Sequence, residues 1–266
     1  MSVLAPLAPD VDARLARVNP VAKLTAAILL LLGLVVTIDP LTPTILLGLE
    51  LLVLPFTGVR LRTLVRRTWP LLLSVGGVAL TNAIVVNGGE VLVDLGLFDI
   101  TTRGVQAAVA VWLRLLAITL PGIAVLATTD PMDMADALVQ RWHAPARFAY
   151  GALAALRLLP LLGRDWSTIG RARRARGLDP GRSPVGRLRA FAAQTFAVLV
   201  AAIRRGVRLA TAMEARGFDA GRVRTVARPQ PLRASDWAVM VGTLLAVTFA
   251  TAVSVAAGSW SFALGG

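Results

Sequence analysis

The 266-residue sequence contains no cysteine, one lysine and one histidine. Without cysteine there is no disulfide, no thiolate metal site and no thiol nucleophile. The lone His143 excludes a multi-histidine metal centre and would have to serve any Ser-His-Asp site by itself; it reads as a helix-end residue. Lys23 stands before Leu24, whereas a phosphate-cradling P-loop needs Gly-Lys-Ser/Thr, so this chain cannot hold ATP in that way. Negative charge is scarce too: 15 Asp+Glu face 28 Lys+Arg, a formal net charge of +13 carried almost wholly by arginine. Together these absences point to a protein that is not itself an enzyme and binds no metal or cofactor of its own.

What is abundant is apolar surface. Hydrophobic residues make up 56% of the chain, and a mean hydropathy of +0.70 is more than a water-soluble core could hide. The apolar residues cluster in five runs, 24–38, 41–57, 69–87, 105–128 and 237–257. Asp39-Pro40 breaks the chain between the first two into a tight helical hairpin, and Pro121-Gly122 predicts a kink in the fourth. Arginines and Lys23 precede the first run, and Arg60, Arg62, Arg66 and Arg67 separate the second from the third. The alternate links are poor in basic residues, with Glu90, Asp94 and Asp99 against Arg103 in the longer one. The positive-inside rule therefore places the N-terminus in the cytoplasm. Residues 1–20 carry the acidic Asp10 and Asp12 and do not open on a basic segment followed by a short apolar run, which argues against a cleaved signal peptide.

After the fourth run the composition changes: residues 141–233 hold 19 arginines and four acids, Asp165, Asp179, Glu214 and Asp219. This block reads as cytoplasmic. Its uncharged stretch 190–203 is too short for a span and is flanked by Arg187, Arg189, Arg204 and Arg205, so it reads as a buried or interfacial helix. Asp130-Pro131 and Ser183-Pro184 both write an N-cap followed by a first-turn proline. They predict helices beginning near 131 and 184, with another over about 147–176, bent at Pro160. The expected fold is an all-α integral membrane protein with five transmembrane helices and three cytoplasmic helices, the last two long. Its regions are a cytoplasmic N-terminal segment (1–23), a four-helix transmembrane region (24–128), a cytoplasmic helical module (129–235) and a C-terminal transmembrane helix (236–266).

The two long helices end alike, in Ala175-Arg176-Gly177-Leu178-Asp179 and Ala215-Arg216-Gly217-Phe218-Asp219. Ordinary capping accounts for much of this: glycine takes the left-handed position, the next apolar residue packs back, and arginine complements the helix dipole. It accounts less well for a matched pair on two long basic helices. An exposed arginine on a rigid helix end can make a charge-assisted contact with a carboxylate in a partner's groove, and two such ends imply two docking sites.

At these motifs the sequence resembles the transmembrane T component (the EcfT family) of energy-coupling factor transporters, ATP-driven importers of the ABC class. The resemblance covers most of the chain. Besides the two Ala-Arg-Gly endings it rests on Asn19-Pro20-Val21-Ala22-Lys23-Leu24, on Thr128-Thr129-Asp130-Pro131 with Ala135-Asp136-Ala137-Leu138, and on Leu156-Arg157-Leu158-Leu159-Pro160-Leu161. It implies a multi-subunit complex in a prokaryotic inner membrane that imports vitamins or cobalt and nickel ions. Two ATPase subunits, identical or different, would bind ATP and Mg. A separate membrane-embedded S component would capture the substrate. Arg176 and Arg216 would dock on the ATPases, with Ala175, Gly177, Ala215 and Gly217 shaping the helix ends. The apolar residues Leu188, Phe191, Leu199 and Ile203 would contact the S component or pack between the two long helices.

Glu50 and Arg114 are ionisable residues inside the second and fourth runs, and such groups pair or line polar cavities. Counted at about 1.5 Å per residue from the outer ends, they lie about 10 and 13 Å deep, which permits an intramembrane ion pair. Nucleic-acid binding is disfavoured because aromatic residues are sparse in the basic block; anionic lipid headgroups suit Arg182, Arg187, Arg189, Arg222 and Arg224 better. Two other readings stand beside the coupling subunit: a permease subunit forming its own solute pathway, and a basic membrane scaffold that recruits acidic partners.

Overall fold

The computed structural model describes residues 13–37, 39–58, 61–86, 88–94, 99–178, 183–218, 226 and 228–260. Asp10, Asp12, Arg60, Asp179, Arg182, Asp219, Arg222 and Arg224, which entered the sequence reading, lie outside them. In chain order the elements are α1 (Pro20–Val36), α2 (Leu41–Thr57), α3 (Leu61–Val85), β1 (Val91–Asp94), β2 (Asp99–Thr101), α4 (Thr102–Thr128), α5 (Pro131–Arg141), α6 (Ala146–Ala175), α7 (Pro184–Ala215) and α8 (Ala234–Ala256). A single 3-10 turn, Arg14–Arg17, precedes α1. The protein is an all-α membrane protein. Its one departure among the described residues is the small antiparallel β1–β2 hairpin, in a link that the sequence reading weighed only for its charge.

The chain forms two compact units, Met1–Ala137 with Gln230–Gly266, and Leu138–Pro229. The first is built on α1, α2, α4 and α8, whose centre is Leu30, Leu34, Leu46, Leu47, Ala117 and Ala250. Small residues at the middle of this core let the helix backbones come close, as bundles in lipid require. Gly33 shows the fit: a Cβ there would stand 2.5 Å from Val247 Cγ1. Around this core the outward faces stay apolar, with Leu32, Leu52, Phe56, Leu80, Leu126 and Leu245 all exposed. Exposed large apolar side chains on several helices suit hydrocarbon as solvent. α4, α6 and α8 are long and apolar enough to cross a membrane, while α1, α2 and residues 72–85 of α3 are shorter apolar helices. α6 meets that criterion by the smallest margin of the three.

Local chemistry sets the helix boundaries. Asn19 caps α1 by accepting from the Val21 amide at 2.9 Å, with Pro20 in the first turn. Asp130 Oδ1 accepts from the Met132 amide at 2.7 Å to open α5, and Ser183 Oγ accepts from the Gly186 amide at 3.4 Å to open α7. The end of α5 is marked by His143 at φ 53, a left-handed turn residue ahead of Pro145. α4 and α6 run as helix through Pro121 and Pro160.

Candidate functional site

The second unit consists mainly of α6 and α7, packed antiparallel. Trp166 meets Phe191 edge-on with ring centroids 5.4 Å apart, and Gln194 Nε2 donates to the Trp166 carbonyl at 2.8 Å. Further along, Arg205 and Asp165 form an ion pair at 2.8 Å, and Tyr150 stands edge-on to Phe218 at 6.2 Å. The contacts advance along α7 as they retreat along α6, so the C-terminus of α7 lies beside the N-terminus of α6. The two Ala-Arg-Gly endings therefore sit at opposite ends of the pair. With α6 30 residues long, their separation is on the order of 45 Å at the rise of an α-helix.

Each ending has the same backbone geometry. At α6 the Leu178 amide donates to the Arg173 carbonyl at 3.0 Å and the Gly177 amide to the Arg174 carbonyl at 3.0 Å. At α7 the Phe218 amide donates to Met213 at 3.0 Å and the Gly217 amide to Glu214 at 2.8 Å. Both are Schellman turns, and both place glycine in the left-handed region, at φ 72 for Gly177 and 76 for Gly217. The residue before each glycine is thereby held at the rim of the helix. Ala175, Arg176, Ala215 and Arg216 are all exposed, and neither guanidinium is bound by any described residue. The apolar residues after the two glycines differ in their packing: Leu178 is 53% exposed, whereas Phe218 packs on Tyr150.

An apolar stripe along α7 is open as well. Leu188, Phe191, Leu199 and Ile203 are each more than half exposed, and Phe191 keeps that exposure while touching Trp166. Packing between the two helices does not cover this face.

In the first unit, the sequence motifs on either side of the spans converge on a few buried polar contacts. Lys23 Nζ donates to the Thr128 carbonyl at 3.0 Å and so ties the start of α1 to the end of α4. The Asn19 amide donates to Asp236 Oδ1 at 2.8 Å, joining α1 to the start of α8, and Asp236 Oδ2 accepts from the Arg233 amide at 2.6 Å. At the other end of the bundle, Asp39 Oδ2 accepts from the Thr42 amide at 2.7 Å, the Thr42 hydroxyl at 2.8 Å and the Ser254 hydroxyl at 2.7 Å. Burial would push the Asp39 carboxyl up, but the bonds from Ser254 and Thr42 outweigh it and hold it below the usual Asp value. Asp39 and Asp236 took no part in the sequence reading as buried anchors. Asp39 was legible only as a helix breaker beside Pro40, and Ser254, its partner, lies 215 residues away.

Glu50 and Arg114 do not form the expected ion pair. Arg114 Nη2 donates to the Asp39 carbonyl at 3.2 Å, while both Glu50 carboxyl oxygens are buried with no partner among the described residues. Equal depth was not enough to bring them together. The long arginine side chain carries its head to the turn between α1 and α2, and Glu50 lines a cavity with Lys23.

The family model for CbiQ, described as a cobalt transport protein, matches residues 13–226. The energy-coupling factor transporter transmembrane protein EcfT of Limosilactobacillus fermentum is 30% identical over 248 residues, covering 90% of this chain and 93% of its own length. An EcfT 1 protein of Listeria monocytogenes is 31% identical over 183 residues, covering 66% of this chain and 69% of its own. The EcfT protein of Listeria innocua is 27% identical over 234 residues, covering 85% and 88%. With the helical membrane unit and the paired helices described above, these matches establish that the chain belongs to the EcfT family, the transmembrane T components of energy-coupling factor transporters.

Proposed function

We propose that the chain is the non-catalytic coupling subunit of an ATP-driven importer of vitamins or transition-metal ions. In this reading two ATPase subunits, which bind ATP and Mg, receive Arg176 and Arg216 in acidic grooves, and a membrane-embedded S component supplies substrate specificity. The observation that carries the reading is the matched pair of Schellman-capped ends, each presenting an exposed arginine with no described partner. A cap alone has no need of a free guanidinium at both ends, whereas a carboxylate-lined groove gains a charge-assisted, directional contact from each. The open stripe of Leu188, Leu199 and Ile203 gives the same unit an apolar face for the S component. Basic helices on the cytoplasmic side of an inner membrane would put both arginines where ATPases can reach them.

Coupling follows from differential contact. When the ATPases close on ATP the grooves move, and only a partner bound better in one state than the other can be driven between them. The test is recovery of ATPase subunits from native membranes on tagged wild-type protein, Arg176→Ala, Arg216→Ala and the double variant. Each single change should reduce recovery several-fold and the double variant should abolish it, with the membrane unit still folded. Undiminished recovery with the double variant would return both motifs to simple helix caps.

A further inference from the structure

Glu50 occupies a position that coupling does not explain. α2 carries it into a cavity of about 490 Å³ between α1, α2, α4 and α8, within the membrane unit. The walls are mostly aliphatic, among them Leu30, Leu49, Val53, Val125 and Ala246. Both carboxyl oxygens are shielded, and neither has a hydrogen-bond partner among the described residues. A buried carboxyl without a donor carries the full cost of desolvation. The other ionisable group on the wall, Lys23, does not relieve it: its Nζ is turned to the Thr128 carbonyl at 3.0 Å and hydroxyl at 3.5 Å. Arg114 is engaged at Asp39. The cavity thus combines room of the size that small ligands fill, an aliphatic lining, and one acceptor left open.

We propose that this cavity is a binding site for a small cationic amphiphile, an aliphatic body with a primary ammonium that donates to Glu50. The aliphatic part would replace the empty contact along α1, α2 and α8. The ammonium would supply the charge and the donors that Glu50 lacks. A carboxylate of the same chain length would bring an uncompensated charge and no donor into the aliphatic cavity, and an alkane would leave Glu50 unpaired, so the head group should decide affinity. The site is built from residues of the membrane unit alone, and its occupation does not depend on the coupling role of Arg176 and Arg216.

The test uses the full chain in lipid nanodiscs and a diazirine-bearing decylamine, with the matching decanoate as control and cross-links mapped by mass spectrometry. The amine should label cavity-lining peptides of α2 and α8 at least ten-fold above the decanoate. Glu50→Gln, close in shape, should remove most of that preference. Gly242→Leu gives an independent arm: Gly242 lines the cavity and a Cβ there meets nothing within 4 Å, so a larger side chain can grow into the space. It should abolish labelling of the cavity while Glu50 remains. Equal labelling by both probes, amine labelling spread over the lipid-facing helix surfaces, or labelling that survives Gly242→Leu would each overturn the proposal.

Discussion

At the scale of single residues, Asp39 joins α2, α4 and α8 of the membrane unit. One oxygen accepts three hydrogen bonds, from the start of α2 and from Ser254 near the end of α8, while the backbone carbonyl accepts from Arg114 of α4. Asp39→Ala would remove the acceptor of the Thr42 amide, the Thr42 hydroxyl and the Ser254 hydroxyl and should cost about 1–3 kcal/mol for each group left unsatisfied, Ser254 keeping Ser259 as a partner. Thermal unfolding in mild detergent would show it as a lowered midpoint, with Asp39→Asn, which keeps an acceptor, close to wild type. An unchanged midpoint for the alanine variant would mean that the network contributes nothing. Such contacts explain where sequence reading stopped. Caps at Asp130, Ser183 and Gly177 involve neighbours a few residues apart and were readable as words. Lys23 to Thr128 and Asp39 to Ser254 join residues 105 and 215 positions apart, and no local pattern encodes them. The same limit produced the Glu50–Arg114 expectation, since depth can be counted along a helix but azimuth and side-chain reach cannot.

At the scale of elements, the helices were the most legible part of the protein. The apolar runs and the proline-bearing caps placed α2, α4, α5, α6 and α7 to within a few residues of their observed bounds. The β1–β2 hairpin escaped because its link of acids and aliphatics has no two-residue turn signal of the usual kind. Among the described residues the α6–α7 pair is held by aromatic contacts, the Gln194 hydrogen bond and a partly buried ion pair, and its outer face is left apolar. Leu188→Ser and Leu199→Ser, at sites 69% and 52% exposed, should therefore change unfolding free energy by less than about 0.5 kcal/mol. If this face meets a membrane-embedded partner, the same double variant should lose co-purification of that partner. Unfolding of the variant at a clearly lower temperature would instead show that α7 uses the stripe internally.

At the scale of the whole molecule, membership of the EcfT family fixes the transporter context, and orientation remains to be read from the charge pattern. A chain without cysteine is convenient for that purpose. Val91→Cys in the hairpin and Ala212→Cys near the end of α7 both fall on exposed positions. An impermeant maleimide should label the first on intact cells and the second only in inside-out vesicles. The opposite pattern would reverse the assigned topology and remove Arg176 and Arg216 from the ATPase side of the membrane.

The antiparallel course of α6 and α7 carries one more consequence. It sets two tips of matching backbone geometry at opposite ends of one helix pair, like the two jaws of a caliper. A pair of related proteins that each grip one tip must hold their grips at that spacing. A change in the distance between the two grips would bear on the seam of Trp166, Phe191 and Gln194, where the two helices meet, because a glycine turn fixes the backbone of each tip.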